Sequence, residues 1–288
     1  MVVRSAILAL LCSLALGFAT ETGSLAYRAH ELYATGHYAD AMNLLKKGLE
    51  SSAKEADVQG ESRILLDMAQ VQFHAYEFTS AEELLALVRE KYLNTQARLA
   101  QLRLRMLLAE YQGKFDVSRA LFLDQRPLWS DEKAQDQERG LVILEGAVAN
   151  AAPGGDQAKV DPWLKEATDL LDDEAPGVLL LARAKIADQH KNVSEAKELY
   201  SKSLTYAQKS QRSWTSGQIL LRLGFLAQGE GNKDEAADNL LRATKLYLEL
   251  ELDRPFLVAA KAYLALVPDD SIISHEVMLA KMRLHDPK

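Results

Sequence analysis

The stretch GEGNKDEAADNLLRATKLY, residues 229–247, decides the fold. Its opening Gly-Glu-Gly-Asn is a turn, and after it Ala236, Leu240, Leu241, Ala243, Leu246 and Tyr247 recur at helical spacing. The first of these residues is small. Two helices reach the short end of the ~8–10 Å interaxial range only where their side chains are small, so Ala236 marks a crossing point.

The same pattern occurs four more times. ATGHYADAMNLLKKGLE starts at Ala34, AYEFTSAEELLALVREK at Ala75, YQGKFDVSRALFL at Tyr111 and QHKNVSEAKELYSKSL at Gln189. In each, a turn or polar pair precedes a small residue that opens an apolar helix: Ala41, Ala81, Ser118, Ala196 and Ala236, spaced by 40, 37, 78 and 40 residues. The gap of 78 is twice the mean unit, so a degenerate copy belongs between Ser118 and Ala196, making six units. The helical stretch before each turn has its own small residue (Ala29, Ala69, Ala184, Gly224), except the third, where Met106 stands. Each unit therefore reads as two antiparallel helices meeting at a pair of small residues.

These hairpins resemble tetratricopeptide (TPR) repeats, whose pattern has a small residue in the first helix, a glycine turn, an aromatic and an alanine in the second helix. Gly36, Tyr38, Ala41 and Leu45 match in the first unit. Gly113, Phe115 and Phe122 match in the third, and Gly231, Ala236, Leu240 and Ala243 in the last. The likeness covers roughly residues 22–250. No unit carries the family's early tryptophan or closing proline, and the period is nearer 39 than ~34. The resemblance implies an all-α fold, an α-solenoid of antiparallel helix hairpins wound as a right-handed superhelix. It also implies a concave face, lined by the first helices, that holds an extended peptide or a partner helix.

Five segments follow: a leader, residues 1–19; a three-unit array, 20–130; a degenerate central hairpin with a Pro/Gly loop, 131–176; a two-unit array, 177–250; and capping helices, 251–288. In the central segment Asp131–Asn150 reads as a long first helix, and Asp161-Pro162-Trp163 opens a shorter second one. The two arrays are either hinged through this segment or parts of one continuous superhelix. At the end, residues 255–267 and 271–284 read as two helices that cover the last hairpin.

Composition agrees with long helices. Glycine and proline together are 22 of 288 residues, about 8% against roughly 12% in soluble proteins, too few for the many turns of an all-β fold. A formal net charge of −7 repels phosphate backbones and excludes the nucleic-acid binders that collect basic residues on one face. Arg4, the apolar run from Ala6 to Leu16 and the small-x-small site Gly17-Phe18-Ala19 form a secretory signal peptide with cleavage after Ala19. The run is shorter than the ~20 apolar residues of a spanning helix. Removal of the leader takes the only cysteine, Cys12, and leaves 269 residues with net charge −8. An exported chain without thiols points to the periplasm or cell envelope of a bacterium, or otherwise to secretion, with no stable membrane insertion after cleavage.

The sequence contains no phosphate loop, zinc-protease motif, calcium loop or nucleophile elbow, so it predicts no enzyme, cofactor or metal site. His30 and His37 lack a third ligand nearby. Thr79/Glu82 and Ser80/Glu83 both fit a helix-start capping box. The functional expectation rests on the concave face, where aromatic anchors alternate with polar groups: Tyr33, then Arg63, Phe73 and His74, then Arg103, Glu110 and Tyr111. Lys185, Asp188, Gln189, Gln218, Phe225 and Gln228 continue that face beyond the central segment. The TPR subgroup that grips a peptide's terminal carboxylate uses a lysine and an asparagine. Here Ala26 and His30, or Leu66 and Gln70, stand there, which disfavours that mode. The sequence thus predicts a non-catalytic scaffold for a protein or peptide partner in the cell envelope. A self-associating structural or assembly protein is the alternative, and an enzyme or small-ligand carrier is a more remote one.

Overall fold

A computed structural model describes residues 21–131, 135–171 and 175–285. The expected leader, residues 1–19, lies outside the described residues. Every regular element described is helical, and the hairpins follow one another along the chain. They are α1 (Glu21–Ala34) with α2 (Tyr38–Glu55), α3 (Val58–His74) with α4 (Phe78–Leu87), and α5 (Thr95–Tyr111) with α6 (Phe115–Asp124). A short α7 (Arg126–Trp129) leads to the central pair α8 (Asp136–Ala151) and α9 (Val160–Leu171). Then come α10 (Pro176–Gln189) with α11 (Val193–Lys209), α12 (Ser213–Gly229) with α13 (Lys233–Glu249), and the closing α14 (Asp253–Leu264) and α15 (Ser271–His285). Among the described residues no helix is long and apolar enough to cross a membrane.

One turn recurs throughout. The residue after each first helix is followed by one with positive φ: Gly36, Tyr76, Gly113, Lys191 and Gly231. The amide of the next residue then reaches back five positions, as in His37 to Leu32 (2.9 Å), Lys114 to Ala109 (2.8 Å) and Asn232 to Ala227 (2.9 Å). This is the Schellman arrangement that satisfies the last carbonyls of a helix. The second and fifth units make the same bonds, Glu77 to Gln72 and Asn192 to Ala187, without glycine. The turn around Tyr76 also corrects the capping-box expectation. It delivers the chain into α4 at Phe78, so Thr79 and Ser80 lie inside the first turn and Glu77 at the N-cap makes no side-chain cap.

The small residues lie at the crossings. Ala41, Ala81, Ser118, Ala196 and Ala236 are fully buried, as are Ala69, Met106 and Ala184. At Gly224 a Cβ would lie 2.7 Å from Leu240 Cγ, so α12 and α13 close to a distance only glycine permits.

The central hairpin joins the two arrays unevenly. Helix α8 packs on α5, α6 and α10, but α9 does not pack along α10. A groove of about 680 Å³ is left between α9, α10 and α11. Trp129 stacks on Phe122 at 4.6 Å and 2°, its Nε1 donates to the Phe122 carbonyl (2.7 Å), and Trp163 meets Phe122 edge-on at 4.8 Å. The loop after α8 is tied down: Gln157 Nε2 donates to the Asn150 and Ala151 carbonyls, and Arg119 Nη1 to the Ala149 carbonyl, each at 3.0 Å. Tyr38, Leu45 and Met68 from the first hairpins share one apolar cluster with Leu240, Tyr247 and Phe256 near the other end of the chain.

Candidate interaction surface

The first helices α1, α3 and α5 bring the predicted aromatic residues together. Tyr33 stacks on His74 (5.2 Å between ring centroids, 13°), and Phe73 meets Tyr111 edge-on (5.1 Å, 88°). These contacts bring the four rings into one group. Their neighbour across the interior was not foreseen. Trp214, in the first turn of α12, lies over His74 at 4.2 Å and beside Phe73 at 5.7 Å. Its indole Nε1 donates to the His74 carbonyl at 3.0 Å. Phe73 is only 2% exposed, so it forms the floor of this group, while Tyr33, His74 and Tyr111 stay half-buried at its edge.

A polar row runs beside the aromatic group. Tyr111 Oη donates to Gln218 Oε1 (2.6 Å), and Gln218 Nε2 donates to the hydroxyls of Tyr76 and, at 2.9 Å, Tyr247. One amide of α12 therefore joins three tyrosines from α5, the α3–α4 turn and α13. Burial lifts the phenols of Tyr33, Tyr76, Tyr111 and Tyr247 above their ordinary range, so they remain neutral donors and acceptors. Burial and, secondarily, the positive charge of Arg103 push the His74 imidazole down to about 3. Its Nδ1 is buried without a hydrogen-bond partner.

The predicted charged residues already have partners. Arg63 pairs with Asp67 one turn on (3.3 Å), and Arg103 with Glu138 of α8 (3.8 Å). Glu110 accepts from Ser118 Oγ (3.1 Å), and burial followed by the nearby Glu145 raises its carboxyl to about 8. Lys185 of α10 pairs with Glu145 of α8 at 3.3 Å. Further along, Arg222 Nη2 donates to Asp188 at 2.7 Å. Most of the inner face thus balances its own charge, while His30 is exposed and Arg63 keeps part of its side chain in solvent. Besides Trp214, sequence reasoning missed Tyr76, Glu77, Tyr247, Leu250 and Arg254. The trace that Trp214 left in the sequence is a large aromatic at a helix start where the repeat pattern has no place for one.

No protein-family model matches the sequence, and no curated protein matches it. Among solved structures, the chain is similar to a signal transduction ATPase with numerous domains, carrying a tetratricopeptide repeat sensor, from Pyrococcus horikoshii. The TM-score is 0.50 at 15% identity, over 91% of this chain and 41% of that one. It is also similar to the APC/C hetero-tetramer Cut9-Hcn1 (TM-score 0.45, 13% identity, 92% of this chain and 56% of that one). A third is a tetratricopeptide repeat protein from Parabacteroides merdae (TM-score 0.41, 12% identity, 90% and 98%). The chain spans about four tenths of the length of the archaeal ATPase. The likeness is one of fold, and with the hairpins described above it makes this chain an all-α, TPR-like helical-repeat solenoid.

Proposed function

We propose that the protein is a non-catalytic interaction scaffold that binds a peptide or protein segment on the inner face of α1, α3 and α5. The observation that carries this reading is the half-buried edge made by Tyr33, His74 and Tyr111. Apolar rings there stand next to polar groups, among them the unpartnered Nδ1 of His74, and Arg63, on the same helix as His74, keeps part of its side chain in solvent. Aromatic anchors with polar neighbours are the side chains that dominate binding energy. In this reading Phe73 supports the edge from below, and Arg103 and Glu110 orient it through their partners on neighbouring helices. The scaffold is exported, with residues 1–19 as its leader, and works in the periplasm or cell envelope. Material from native cells would then begin at or near Thr20, and an intact Met1 in a membrane fraction would count against export.

Crosslinking in native envelopes supplies the partner, and variants test the site. Tyr33→Ala and Arg63→Ala should weaken binding, an anchor costing about 2 kcal/mol or roughly thirtyfold in affinity. Lys47→Ala on the outward side of α2 is the control, because Lys47 is exposed. Unchanged affinity in folded Tyr33 and Arg63 variants would remove the inner face from consideration. A second reading, self-association, is favoured by a different observation: Ile272, Met278 and Met282 are exposed on the last helix, α15. Sedimentation across a concentration range, repeated with Met282→Lys, separates the two.

A further inference from the structure

The two ends of the solenoid meet. Contacts between residues more than a hundred positions apart close the interior along one line: Tyr111 with Gln218, His74 with Trp214, and Glu77 with Arg254, separated by 107, 140 and 177 residues. At the rim, the Arg254 guanidinium pairs with the Glu77 carboxylate. Leu250 lies against the first turn, where a Cβ at Gly36 would sit 2.7 Å from Leu250 Cδ2.

This seam differs from the packing elsewhere in the molecule. Consecutive hairpins pack helix along helix, whereas none of α12, α13 and α14 packs along any of α1 to α6. Side-chain tips bridge the seam, in part through the apolar cluster that Tyr38, Leu45 and Met68 share with Leu240, Tyr247 and Phe256, and in part through polar groups: an amide, the phenols of Tyr76 and Tyr111, and an ion pair. Polar contacts of small extent are those of surfaces that part and rejoin. The closed state also holds an unspent cost, the buried Nδ1 of His74. On the far side of the ring, the arrays are joined by α8 on α10, while α9 stands off from α10 and leaves a groove.

We propose that Trp214, Gln218, Leu250 and Arg254 form a latch that closes the ring and covers the aromatic edge, so that a partner reaches Tyr33, His74 and Tyr111 only when it releases. The partner half of this proposal rests on the interaction reading above. The latch itself is tested without a partner.

The test uses the full chain with Cys12→Ser and spin labels at Glu83→Cys on α4 and Lys261→Cys on α14, both exposed positions. The parent should give one short distance. Arg254→Glu places two carboxylates at the rim and should lengthen and broaden that distance while helix content stays unchanged. Glu77→Arg combined with Arg254→Glu restores the pair with its charges exchanged and should recover the parent distance. Trp214→Ala should open the ring further. An unchanged distance in both Arg254→Glu and Trp214→Ala overturns the latch. So does loss of helix in Trp214→Ala with Arg254→Glu still closed, because Trp214 would then be an ordinary core residue.

Affinity separates the two readings. Release raises the competent fraction, so a captured partner should bind Arg254→Glu roughly threefold or more tightly, and the exchanged pair like the parent. A distance that lengthens while opened and closed forms bind the partner equally well keeps the latch as a conformational element and overturns its control of binding.

Discussion

Lys191 shows what a single residue contributes to this solenoid. It holds φ +61° between α10 and α11, a conformation that Gly36, Gly113 and Gly231 supply in other units without a Cβ. An L-residue there costs roughly 1–2 kcal/mol, and the cost is met because the Asn192 to Ala187 bond closes the helix end. Lys191→Gly should therefore raise the denaturation midpoint, by up to about 1 kcal/mol after the larger chain entropy of glycine is subtracted. A fall in the midpoint would show that the turn carries no strain. Glu110 carries the opposite kind of tension. Its carboxyl is raised from 4.5 to about 8 by burial and by Glu145, so its contribution is fully present below pH 4.5 and is lost as pH rises through about 8. Melting temperature measured against pH should show a decline across that window that Glu110→Gln flattens. An identical slope in the variant would assign the decline to other groups.

At the scale of helices, stability comes from crossings. Ala236 has no exposed surface, and Gly224 on the facing helix has Leu240 pressed against the place of its missing Cβ. Three extra carbon atoms at Ala236 have nowhere to go without parting α12 from α13. Ala236→Leu should destabilise by roughly 1–3 kcal/mol, read from the urea midpoint. A midpoint equal to the parent's would mean that the crossing tolerates a wider separation. The crossings were legible in the sequence because a helix presents the same face every 3.6 residues, and small residues at a fixed interval reveal where faces meet. The central pair was legible only as a gap of two periods. Its anchors Phe122, Trp129 and Trp163 come from three helices and follow no period of their own.

At the scale of the whole molecule, the seam should respond to acid. His74 faces Tyr33, Tyr38 and Trp214, and its imidazole is lowered from 6.5 to about 3, chiefly by burial and then by Arg103. A base depressed in this way contributes stability that is present above pH 6.5 and is lost as pH falls through about 3. Between those values the distance across the seam should lengthen before helix content falls. His74→Gln, which keeps the Glu77–Arg254 pair, isolates the imidazole. Acid opening undiminished in His74→Gln would clear His74 of the role.

The sequence by itself determined the helices, their pairing into hairpins and the face on which Tyr33, Phe73, His74 and Tyr111 gather. Each depends on interactions within a turn or two of chain, or between helices adjacent in the chain, and a period records such interactions. Only the tertiary structure decided what that face meets. Whether Trp214 arrives over His74 depends on small rotations accumulated through every hairpin between α3 and α12, and on the irregular central pair among them. A local pattern carries no record of that sum. Arg103 and Glu110 were likewise legible as inward-facing charges, but the carboxylates that face them were not. Glu138 and Glu145 belong to the central hairpin, whose register follows from packing rather than from the repeat.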